Sequence, residues 1–124
     1  MMNYQNKFPI YRDATRLVVE IESAVKDFPR YQKYTLGSEM HTLAYDLLTV
    51  MPYIINNKND RKQLIKKAHQ FSEVLTIQIA KQIVNLSFKV FETLVSLTIN
   101  LSKQCKAWQN KLQHQRQHES NYVE

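Results

Sequence analysis

Residues 36–79 read LGSEMHTLAYDLLTVMPYIINNKNDRKQLIKKAHQFSEVLTIQI, and this stretch decides the fold. Its apolar side chains recur at helical spacing on both sides of one polar break. Before the break the line is Leu36, Met40, Ala44, Leu47, Met51 and Ile54; after it, Leu64, Ala68, Phe71, Leu75 and Ile79. Steps of three and four keep such a stripe on one side of a 3.6-residue helix. The break itself, Asn56-Asn57-Lys58-Asn59-Asp60, is turn chemistry, with Asp60 placed to cap the helix that follows. Two helices joined by so short a turn run antiparallel. Ser38 sits near the start of the first helix, behind Gly37. Pro52 lies inside its pattern, lacks a backbone donor and crowds the carbonyl of Leu48, so a kink or an early end is expected there.

The same period continues outward in both directions. Upstream, Tyr11, Ala14, Val18, Ile21, Val25 and Phe28 define a helix that Pro29 is expected to end. Downstream, the pattern fades near Ile83-Val84-Asn85. Ser87 can cap a fourth segment with the stripe Val90, Leu94, Leu97, Leu101, Cys105, Trp108 and Leu112. The expected fold is therefore all-α, an antiparallel up-down-up-down four-helix bundle over residues 1–112. Residues 113–124 are polar and read as a flexible tail. Glycine usage agrees: Gly37 is the only one, too few for the turns and bulges of a sheet. Phe88, Phe91, Val95 and Ile99 lie off the main line of the fourth helix. They widen its core face or form a subunit interface, since large exposed apolar patches are rare on monomers.

The 124-residue chain carries a net charge of +6, unevenly spread. Residues 1–57 hold six basic and six acidic side chains; residues 58–124 hold eleven basic and five acidic. Such an excess fits an acidic partner, whether nucleic acid, protein or anionic lipid, or else serves solubility. A lone cysteine, Cys105, forms no internal disulfide, and the first residues lack a signal-peptide pattern. Charges interrupt every apolar run before it can span a bilayer. A cytoplasmic protein without membrane contact is expected.

Enzyme chemistry has little to stand on. One glycine excludes a nucleotide-binding glycine fingerprint, and one cysteine excludes a cysteine–metal cluster. His114 and His118 are four apart but sit in the polar tail with no third ligand nearby. Glu20 and Glu22 point to different helix faces, while His41 and His69 are isolated and read as surface or half-buried helix residues. Cys105 lies on the apolar stripe as a packing residue. No catalytic residue, metal or cofactor is expected.

The basic side chains carry the functional signal. Lys62 and Lys66 fall opposite the Leu64–Phe71 stripe, Lys58 and Arg61 precede them, and Lys67 flanks the core side. Lys103 and Lys106 extend the charge along the fourth helix. Arg12 and Arg16 are four apart on the first, and Arg30 and Lys33 follow it. Such residues hold phosphates without reading sequence. Tyr31 and Tyr34 beside them can stack on bases, although packing against the bundle end is the more ordinary role.

Phe28-Pro29 followed by Tyr34-Thr35-Leu36-Gly37 resembles the first helix junction of a four-helix-bundle superfamily with two branches. One is encoded in intervening sequences of bacterial large-subunit ribosomal RNA genes. The other is the accessory variability determinant of diversity-generating retroelements. Tyr45-Asp46-Leu47-Leu48, Asn57-Lys58-Asn59-Asp60-Arg61, Ile79-Ala80-Lys81, Leu86-Ser87 and Trp108 are similar to the retroelement branch. The resemblance spans about residues 8 to 112. Lys106-Ala107 replaces the glycines usual before that tryptophan, and Gln78 stands where an arginine is expected. Val50-Met51-Pro52 is similar to the ribosomal branch, whose Asn-Ile-Ala-Glu-Gly run is missing here. The retroelement resemblance implies a non-catalytic, pentameric, basic accessory protein that binds a reverse transcriptase and its template RNA, and possible DNA contact. A ribosomal-branch protein and a protein-only adaptor bundle remain the alternatives.

Overall fold

The computed structural model describes the backbone of residues 8–123 and the side chains of residues 8–113. The described residues form four long helices: α1 Pro9–Val25, α2 Ser38–Asn56, α3 Arg61–Lys81 and α4 Phe88–Val123. No strand occurs among the described residues. Along the chain each helix packs on the next, and α1 also packs on α4. All four enclose one apolar cluster, from Ile10 and Leu17 through Met40, Leu47, Ile65 and Ile79 to Leu94 and Leu101.

Helix boundaries follow local chemistry. Pro9 opens α1, where its missing amide hydrogen costs nothing. That helix stops at Val25, earlier than its apolar line, yet Phe28 stays buried through two turn bonds, Asp27 to Ala24 and Phe28 to Val25. A helical turn, Arg30–Gln32, then winds through a π-helical segment, Lys33–Gly37, directly into α2. Gly37 has ordinary helical angles; what it permits is close approach. A Cβ added there would lie 2.7 Å from Cγ1 of Val25 at the end of α1.

Pro52 does not end α2, which continues one further turn to Asn56 without the bond that an amide at position 52 would give to the Leu48 carbonyl. Asp60 occupies the position before α3, but its carboxylate makes no capping bond. Its Oδ2 accepts instead from Nδ2 of Asn57 at 3.1 Å, so the side chain closes the turn. Ser87 caps α4 as expected, its Oγ accepting from the amide of Val90 at 3.2 Å. The backbone of α4 stays helical to Val123. The side chains of residues 114–124, including His114 and His118, lie outside the described residues.

The stripes of α2 and α4 are buried as expected at Met40, Ala44, Leu47, Met51, Ile54, Leu94, Leu97, Leu101 and Cys105. In α3 Ala68, Leu75 and Ile79 are buried as expected, but elsewhere the buried face is shifted by one residue. Ile65 and Ser72 point inward, while Leu64 and Phe71 are only half-buried. Ser72 tolerates burial because its hydroxyl donates to the carbonyl of His69 at 2.7 Å.

Cys105 is 1% exposed, and burial pushes its thiol up to about 11. The neutral thiol is favoured by folding, so its contribution is whole below about pH 9, its ordinary value. That contribution is lost as pH rises through 11. Between these limits the wild type is expected to lose roughly 2 kcal/mol more stability than Cys105→Val. Chemical denaturation at pH 8 and pH 11 measures the difference, and equal losses would refute the assignment.

Candidate nucleic-acid interface

Every basic side chain singled out from the sequence is exposed except Arg61. Lys58 lies in the turn before α3, and Lys62, Lys66 and Lys67 follow along its first two turns. Lys62 and Lys66 are four apart and share a face, turned to solvent by the inward burial of Ile65 and Ala68. Lys67 points around the helix toward α2, with its Nζ 5.7 Å from the ring centroid of Phe71.

Two further groups of exposed basic side chains lie on α1 and α4. The Asp13 carboxylate accepts from Nε2 of Gln104 at 2.8 Å, which ties the start of α1 to the part of α4 that carries Lys103 and Lys106. Arg12 stands beside that tie, its Nε 3.7 Å from Asp13, and Arg16 is exposed one turn further on. Arg30 and Lys33 belong elsewhere. They occupy the junction before α2, separated from Lys58 by the 19 residues of that helix, about 28 Å of rise. Tyr31 and Tyr34 in this junction stand out into solvent and do not pack against the bundle end.

Arg61 has a different occupation. Its Nε donates to the carbonyl of Ile54 and its Nη2 to the carbonyl of Ile55, both at 2.8 Å. Those carbonyls lie in the last turn of α2, where no intrahelical donor remains for them. The guanidinium also lies 5.9 Å from the ring centroid of Trp108. One side chain at the head of α3 therefore caps α2 and stacks on α4. Sequence spacing placed Arg61 with the basic surface; the structure turns it inward to the helix junction.

Between α2 and α3 the surface opens into a groove of about 420 Å³, lined by Asp46, Thr49, Val50, Tyr53, Leu64, Lys67 and Phe71. Sequence reasoning missed it. Its signal lay in the rotated face of α3, which leaves Leu64 and Phe71 short of the core.

The surplus apolar line on α4 divides. Phe91 and Val95 pack against the core, whereas Phe88 is 80% and Ile99 43% exposed. Ile83 and Val84, in the turn before α4, are exposed beside Phe88 in the sequence. His41 bonds through Nε2 to Oε1 of Glu22 at 2.9 Å, joining α1 to α2, and His69 pairs with Glu73 at 3.4 Å. Gln78, where the resemblance calls for arginine, is half-buried, and its Oε1 has no hydrogen-bond partner among the described residues. No helix among the described residues is long and apolar enough to cross a membrane. No protein-family model matches the chain, nor does any curated protein or solved structure.

Proposed function

We propose that this chain is a non-catalytic accessory subunit of a diversity-generating retroelement, a basic scaffold that binds a reverse transcriptase and its template RNA in the cytoplasm. The observation that carries the reading is the exposed group Lys58, Lys62, Lys66 and Lys67 around one turn and one helix start. Phosphates are held by such side chains through charge and hydrogen bonds, independent of base sequence. No cofactor enters this role, because the polymerase would supply the chemistry.

The architecture that presents this face is an antiparallel up-down-up-down bundle. Three contacts support that arrangement. Glu22 near the end of α1 meets His41 near the start of α2; Asp13 near the start of α1 meets Gln104 well along α4; Arg61 at the start of α3 meets Trp108. The exposed Phe88 and Ile99 support self-association through α4, and the resemblance sets the expected number at five. In a closed ring the basic face recurs in every subunit, and weak contacts add through effective concentration. Val50-Met51-Pro52 favours the ribosomal-branch reading, which shares the bundle.

Salt titration of binding to one RNA tests the function. Affinity should fall steeply with salt, by about 0.7 logarithmic units per decade for each phosphate contact on a single strand. A protein-only adaptor would bind no RNA at any salt concentration. Sedimentation of the free protein should show a closed oligomer; a monomer at micromolar concentration would remove the α4 interface and weaken the family reading.

A further inference from the structure

The groove between α2 and α3 combines three features that a phosphate-binding surface alone does not need. Tyr53 is 65% exposed at its edge, a large flat ring offered to solvent. Asp46 on α2 contributes a carboxylate to the lining, and Lys67 on α3 contributes an ammonium group. Leu64, Val50 and Phe71 form an apolar lining between them. A volume of about 420 Å³ falls within the range of small-ligand pockets. A carboxylate repels phosphate and accepts from hydrogen-bond donors, so Asp46 gives the groove a chemistry different from that of the lysines around it.

We propose that this groove is a subsite for one unpaired, amine-bearing nucleobase of the bound RNA. The base stacks on Tyr53, its exocyclic amine donates to the Asp46 carboxylate, and Lys67 meets the adjoining phosphate. Charge complementarity selects this occupant: Lys67 lies at the groove, and Lys66 follows it around α3 toward Lys62, so a strand leaving the groove stays on basic surface. Bases within a duplex cannot enter, because their faces are already stacked and their pairing edges occupied. Cytosine fits the carboxylate through its amine, whereas uracil presents an oxygen at the corresponding position and is repelled. The proposal rests on the RNA-binding reading above and adds where a base is held and which kind.

Three probes separate the outcomes: oligocytidylate, oligouridylate and a blunt RNA duplex of equal phosphate number, each titrated with the full chain. The wild type should prefer oligocytidylate to oligouridylate. Tyr53→Ala should weaken oligocytidylate binding by about tenfold, the lower part of the stacking range. It should leave duplex binding and the salt slope unchanged, and Tyr53→Phe should retain the wild-type affinity. Asp46→Ala should erase the preference between the two pyrimidines. Equal loss on single strand and duplex, or no loss on either, overturns the subsite while leaving RNA binding in place. Absence of binding to all three probes overturns the RNA reading and the subsite together. Loss of reverse-transcriptase capture by Tyr53→Ala, with all three RNAs bound normally, would assign the groove to protein docking and also overturn the proposal.

Discussion

Arg61→Ala is expected to lower stability by about 2–3 kcal/mol, and Arg61→Lys should recover little of it. The guanidinium makes two charge-assisted bonds to the free carbonyls of Ile54 and Ile55 and lies over Trp108. Hydrogen bonds to a charged donor contribute about 1.5–3 kcal/mol each when buried, and less here because Arg61 is only half-buried and water can reach part of the site. The stacking on Trp108 adds roughly 0.5–1 kcal/mol. Lysine cannot serve two carbonyls and a ring together, since its donors radiate from a single nitrogen. Arg61→Glu should be worse than alanine, because it sets a carboxylate against the negative end of the α2 dipole. For a chain of this length the alanine change corresponds to a fall in melting temperature of about 10 °C. Thermal melts of the three variants measure it, and Trp108→Leu completes a double-mutant cycle that isolates the stacking. An unchanged melting temperature in Arg61→Ala would show that water replaces both bonds without loss.

That role could not be read from the sequence, and the reason is geometric. Arg61 follows a polar turn and belongs by composition with Lys58 and Lys62. Only the path of the chain shows that α3 starts beneath the last turn of α2, where two carbonyls need donors. The apolar face of α3 was readable only to within one residue for a related reason. The lines Leu64–Ala68–Phe71 and Ile65–Ala68–Ser72 both step at helical spacing. The neighbours of α3 decide between them, and Ser72 escapes a hydrophobic criterion because its hydroxyl is satisfied by its own helix. By contrast, α2 and α4 carry one dominant apolar line each, and their buried residues follow it. The exposure of the lysines was equally legible, since opposite faces of an amphipathic helix are fixed once the core face is known to within a residue. The α2–α3 groove was not, because it exists only where two partly buried faces meet.

Reversing Lys58, Lys62 and Lys66 to glutamate should remove most RNA binding and leave the fold intact. All three side chains are exposed. Surface substitutions of this kind usually change stability by no more than about 0.5 kcal/mol, so the melting temperature and sedimentation should match the wild type. Arg61 is excluded from the set because its loss would destabilise the helix junction and mimic a binding defect. Each lysine that meets a phosphate releases a counterion, so losing three should flatten the single-strand salt slope by about 2. The affinity difference should therefore be greatest in dilute salt, at least about tenfold near 0.1 M, and shrink as salt rises. A uniform loss at every salt concentration would instead indicate a disturbed fold or a lost uncharged contact. Arg30→Glu with Lys33→Glu provides the internal comparison. That pair lies about 28 Å of helix rise from Lys58, so its reversal should cost less affinity if the RNA is held at the start of α3. Equal binding by the triple variant and the wild type across the titration would leave the charge excess of residues 58–124 as a solubility feature, and the scaffold reading would lose the observation that carries it.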